Sequence, residues 1–112
     1  MASLTEMFHL YLADLFPNDA EFEDDGAQKL RIIYPIPETV PGQRYSRPVV
    51  LEFERYVVAE YQAALDSGNV PRQDRMGDAL CEIVKRSLET YDVHGPRNSA
   101  FKIYVDSRAT DL

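Results

Sequence analysis

Tryptophan is absent from this 112-residue chain, cysteine occurs once, and histidine occurs twice. A lone cysteine excludes an internal disulfide, and so small a stock of Cys and His cannot build a zinc site of its own. No apolar run approaches the ~20 residues that a bilayer span needs. None of the five glycines falls in a G-x-G-x-x-G or Walker pattern, so the loops that cradle nucleotide phosphates are missing. Basic residues are missing from a whole quarter of the chain. Residues 1–28 carry Glu6, Asp14, Asp19, Glu21, Glu23, Asp24 and Asp25 without one Lys or Arg, while the remainder holds twelve acids and twelve bases. The net charge of −7 is therefore an acidic first quarter on a neutral body. Such a field repels nucleic acid and anionic lipid at long range. The opening "MASLTEMFHLYLADLF" has no basic n-region, and acids interrupt its apolar stretch. No secretory leader is expected, and the cytoplasm is the expected compartment.

What is present describes an ordinary soluble domain. Hydrophobic residues make up 45% and charged residues 28%, and seven Tyr and five Phe supply the aromatic content of a core. The length is close to the commonest size for a single domain with a single core.

Hydrophobic spacing divides the chain into elements. Ser3 and Glu6 form an S-x-x-E capping box, and Leu4, Met7, Phe8, Tyr11, Leu12 and Leu15 follow at helical spacing until Pro17. "AEFEDDGAQKLRIIY" reads as a β-hairpin. A two-residue Asp25-Gly26 loop would pair Phe22 with Lys29 and put it on the wrong face. A three-residue Asp24-Asp25-Gly26 loop pairs Phe22 with Gln28, and sets Ala20 and Phe22 on one face with Leu30, Ile32 and Tyr34. "PIPETVPGQRYSRP" is a long, proline-stiffened loop. "VVLEF" alternates as a short strand, with a helix starting near Pro48 as the alternative. Phe53, Val57, Tyr61, Ala64 and Leu65 then fit a helix that ends at Ser67-Gly68. Asp74 can cap a third helix whose buried stripe is Met76, Leu80, Ile83, Val84, Ser87, Leu88 and Tyr91, with Glu82 and Arg86 paired at i, i+4 outside. "AFKIYVDS" is the last strand. The predicted fold is α+β, a small, mostly antiparallel sheet of about four strands with three helices on one face, in the order αβββααβ.

Few residues offer chemistry. Asp92, His94 and Ser99, in "YDVHGPRNS", have the residue types of a triad without a nucleophile elbow, and Gly95-Pro96 falls where the third helix should stop. The segment reads as a helix-to-strand connector, with an enzyme built on Asp92 and His94 as the alternative. Cys81, beside Val84 and Leu88, reads as a packing residue with nothing nearby to lower its pKa. "DAEFEDDG" fails as a calcium loop: with Gly26 at the sixth position, the twelfth is Ile32 where a glutamate belongs. It reads instead as a solvated hairpin edge. No catalytic residue, metal ligand, cofactor or small-molecule substrate is assigned. The strongest surface candidate is "GQRYSRP", where Arg44, Tyr45 and Arg47 lie on a backbone stiffened by Pro41 and Pro48. Arg and Tyr are the side chains that dominate interface hot spots, and a stiff loop loses less entropy on binding. Its competing reading is a connector whose arginines pair with the acidic quarter.

Residues 47–91, read as strand–helix–helix, resemble the ribbon-helix-helix family of DNA-binding proteins in element order. The resemblance implies a dimer whose paired strands enter the major groove. The groove-facing set would be Val49, Leu51 and Phe53 or Val50, Glu52 and Glu54, and the segment holds eight acids and six bases, where a DNA reader is basic. "SRPVVLEFE" and "ALCEIVKRSLETYD" resemble a short uncharacterised proteobacterial family grouped as a domain of unknown function, which implies no activity or cofactor. The expected function is a non-enzymatic interaction module that binds another protein or a second copy of itself, through the Arg44–Arg47 loop or an exposed sheet edge. A ribbon-helix-helix-like regulator is the alternative.

Overall fold

A computed structural model describes residues 3–36, 41–42, 44–95 and 99–106. Three helices and a four-stranded sheet follow one another in the expected αβββααβ order.

Helix α1 spans Leu4–Leu12. The Ser3 hydroxyl accepts from the Glu6 amide at 3.1 Å, as the capping box requires. Leu4, Met7, Phe8 and Leu12 are buried. A 3-10 turn over Ala13–Leu15 carries the chain to Pro17.

Strands β1 (Glu21–Asp24) and β2 (Lys29–Ile33) form the hairpin in a different register from the expected one. Phe22 lies opposite Ile32, not Gln28, because Asp24 extends the strand opposite Leu30 instead of entering the turn. The slip is four residues, an even number, so Phe22, Leu30 and Ile32 still share a face. Gly26 keeps the positive φ, +92°, that the turn demands. Asp24 is drawn into the strand by a distant partner. From the face that carries the helices, its carboxylate accepts from the Leu4 amide at 3.0 Å, the Thr5 amide at 2.9 Å and the Thr5 hydroxyl at 2.6 Å. These are orphan donors of the first turn of α1. The acidic run is thus only partly a solvated edge.

Residues 49–53 are a strand, β3 (Val49–Phe53), and not the start of a helix. The sheet order is β1-β2-β3-β4, with β4 (Phe101–Val105) parallel to β3 and the other two pairings antiparallel. The sheet is therefore mixed. Strand β3 is paired along both edges, so it has no free edge to give to a second copy of the chain.

Leu30, Ile32, Val49, Leu51, Phe53, Ile103 and Val105 form one face of the sheet, and core residues from all three helices pack on it. Phe8 stacks on Phe53 with ring centroids 4.8 Å apart and touches Tyr61 at 4.7 Å. The opposite face carries Glu23 across from Arg31 and Lys29 across from Glu52, with Lys102 and Tyr104 at its β4 side.

Helix α2 (Arg55–Asp66) ends at Ser67, and Gly68 follows at φ +69°. Helix α3 (Val70–Leu88) starts earlier than expected. Asn69 caps it by accepting from the Arg72 amide at 3.2 Å, and Pro71 sits in the first turn. Proline is harmless there because those amides have no helical partner. Asp74 therefore lies inside the helix. No helix of the described residues is long and apolar enough to cross a membrane.

Candidate interaction surface

The loop after β2 is in part a ribbon. The Ser46 amide donates to the Tyr34 carbonyl at 2.8 Å and the Ile36 amide donates to the Arg44 carbonyl at 3.0 Å, which places Pro35 opposite Tyr45. Pro35 occupies the position whose amide would point away from the partner strand, so its missing N–H costs the ribbon nothing. Ser46 is fully buried, and its hydroxyl accepts from the Tyr34 amide at 3.1 Å. This pin fixes the base of the arm. Residues 37–40 and 43 lie outside the described residues.

The three candidate residues separate into two roles. Arg44 is exposed, and its guanidinium has no hydrogen bond or ion pair among the described residues. It is not neutralised by the acidic first quarter. Tyr45 is 40% exposed beside it. Arg47 turns inward and acts as a strut. Its Nε donates to the Ser99 carbonyl at 2.8 Å, its amide donates to the Val93 carbonyl at 2.9 Å, and its guanidinium lies 5.5 Å from the Phe101 ring centroid. The Tyr91 hydroxyl donates to its carbonyl, and its stem packs on Gly95, where a Cβ would come within 2.8 Å of Cδ. The spacing R-Y-S-R could not separate these roles, because the inward turn depends on a connector some fifty residues away.

That connector is the Asp92–Ser99 segment. One Asp92 carboxylate oxygen accepts from the backbone amide of His94 at 3.0 Å, and the Asp92 carbonyl accepts from Gly95 at 3.0 Å. The acid is occupied in an Asx turn, and Asp92, His94 and Ser99 are all exposed. Pro96, Arg97 and Asn98 lie outside the described residues.

Cys81 faces α1, where its thiol donates to the Tyr11 carbonyl at 2.8 Å. Burial pushes the thiol pKa up, and the Asp78 and Asp14 carboxylates push it the same way. A raised thiol is a poor nucleophile at neutral pH. Burial likewise raises the Tyr61 hydroxyl, which donates to Tyr11 at 3.1 Å. His9 lies edge-on against Phe22, with centroids 4.6 Å apart. Among the described residues, no three His, Cys, Asp or Glu side chains gather as metal ligands would.

The surface grooves offer little more. One of about 580 Å³ runs along the outer side of α3 past Arg75, Asp78, Glu82 and Arg86. Its Ser87 hydroxyl is bound to the Ile83 carbonyl at 3.0 Å, within its own helix. Another, of about 450 Å³, lies between α2 and the β1–β2 turn, lined by Ala27, Gln28, Val58, Ala59 and Gln62. A third, of about 400 Å³, holds Glu52, Glu54 and Asp106. None sets a nucleophile beside a base. Comparison with family models, with curated proteins and with solved structures finds no match to this chain.

Proposed function

We propose that this chain is a non-enzymatic, cytoplasmic interaction module whose contact with another protein is led by Arg44 and Tyr45. The observation that carries this reading is the arm itself. Its base is held by buried Ser46 and inward-turned Arg47, while Arg44 and Tyr45 stay exposed. A partner that meets them finds a hot-spot pair already positioned, with little entropy left to lose. An acidic patch bordered by an aromatic or apolar pocket suits that pair best.

A DNA-reading role has less support. The ribbon-helix-helix geometry needs a free edge on β3, and that strand is paired on both sides. Among the described strands, the face of the sheet turned away from the helices has three acids, Glu21, Glu23 and Glu52, against three bases, Lys29, Arg31 and Lys102. It has no net attraction for phosphates.

The test is affinity capture from host-cell extract with the wild type and with Arg44→Ala/Tyr45→Ala, quantified by mass spectrometry. Proteins retained by the wild type should fall about tenfold or more with the double variant, the loss expected from removing two hot-spot side chains. The melting temperatures of both proteins are measured alongside, so that capture is compared only between two folded chains. Identical capture by two equally folded proteins would refute the reading.

A further inference from the structure

The two edges of the sheet are not alike. Strand β1 is four residues long and carries Glu21, Glu23 and Asp24, so a like edge brought against it meets carboxylates with carboxylates. Strand β4, "FKIYV", carries one charge, Lys102, and Tyr104 beside it is 60% exposed.

The backbone of β4 is set for a further strand. The Phe101 amide donates to the Pro48 carbonyl at 2.8 Å, and the Val105 carbonyl accepts from the Glu54 amide at 2.9 Å. In a parallel pair these contacts alternate, so Phe101, Ile103 and Val105 direct their backbone groups to β3. Lys102 and Tyr104 direct theirs outward, and no described strand pairs with them.

We propose that β4 is a self-association edge, which pairs antiparallel with β4 of a second copy about a twofold axis at Ile103. This surface is distinct from the Arg44–Tyr45 arm. In this register Lys102 bonds through its backbone to Tyr104 of the second copy, and Tyr104 to Lys102 of that copy, so the full five-residue strand is used. Phe101 meets Val105 on the helix-bearing side. On the face turned away from the helices, the Lys102 ammonium lies over the Tyr104 ring of the second copy and reaches toward that copy's Glu52. The Cα atoms of Lys102 and that Glu52 are two strand spacings, about 10 Å, apart. The charges explain the choice of partner. Within one chain, Lys102 lies beside Val50 and then Arg31, and Glu52 lies between Lys29 and Tyr104. Neither Lys102 nor Glu52 has an ion pair among the described residues. Joining the two sheets brings these opposite charges together. The contact is isologous and closes after two chains, whereas β4 on β1 would propagate into a filament.

The measurement is light-scattering mass from about 10 µM to about 1 mM, the range in which so small an interface associates. The wild-type mass should rise from 12.8 kDa toward twice that value. Tyr104→Pro deletes the outward amide and leaves the β3–β4 ladder whole, because proline is tolerated where its nitrogen faces solvent. Lys102→Glu sets like charges against Glu52 of the second copy. Each should raise the dissociation constant at least about tenfold with the circular dichroism spectrum unchanged. If Tyr104→Pro fails to fold, Lys102→Glu alone decides. A wild type that stays at 12.8 kDa, a mass climbing past two chains, or dimers that survive in the folded variants would each overturn the proposal.

Discussion

Gly77 is where a single atom matters most. A Cβ at this position would overlap the ring of Tyr11, so α1 and α3 approach as closely as they do only because position 77 has none. That approach also brings the Cys81 thiol to the Tyr11 carbonyl. Gly77→Ala gains up to about 1 kcal/mol of helix propensity. It must also displace a ring whose hydroxyl is bound to Tyr61, and overpacking of this kind costs about 1–3 kcal/mol. With the full propensity gain the expected net result is a loss of up to about 2 kcal/mol in urea unfolding, and a more stable variant would contradict the close approach. From the sequence, Gly77 is merely a glycine inside a helical stripe, with no sign of which neighbour requires it. Arg47 makes the same point. Its role as a strut depends on Val93, Ser99 and Phe101, none of them near it in the chain.

Element types were readable because hydrophobic period is local. The stripe of α1 and the alternation of "VVLEF" and "FKIYV" need only a few neighbouring residues to be recognised, and each element formed where its period placed it. Boundaries depend on competing caps and were less readable. Both Asn69 and Asp74 have the chemistry to open α3, and the structure caps the helix at Asn69, with Pro71 in its first turn. Asn69→Ala should therefore cost about 1 kcal/mol, while Asp74→Ala should stay within about 0.5 kcal/mol of the wild type. Chemical denaturation of the two variants in parallel checks this, and equal losses would show that the cap is misplaced. The hairpin shows a further limit. Its face was legible because parity alone sets it, but its register was not, since a carboxylate on β1 is held by the first turn of α1.

At the scale of the whole molecule, that same carboxylate ties the hairpin to α1 and makes stability depend on pH. Burial by itself would raise the Asp24 pKa, but the hydrogen bonds from the Thr5 hydroxyl, the Thr5 amide and the Leu4 amide outweigh it and hold the group below its ordinary 3.8. A depressed folded pKa stabilises above the unfolded value, and the contribution fades as pH falls through the folded one. Because Asp24 is exposed, the contribution is modest, about 0.3–1 kcal/mol for a charge at a helix N-terminus. Asp24→Asn should melt below the wild type at pH 6, and the gap should close at a lower pH, once the Asp24 carboxylate has been protonated below its depressed folded pKa. A gap that persists at the lower pH would assign the effect to packing. The sequence by itself determined the α+β class, the order of elements and the inward faces of helices and strands, because period and turn chemistry act over a few residues. Only the tertiary structure decided that β4 runs parallel to β3, that Arg47 turns inward while Arg44 and Tyr45 do not, and that Asp24 caps a distant helix. Each of these rests on residues brought together across long stretches of chain, and no local pattern records which partner will arrive.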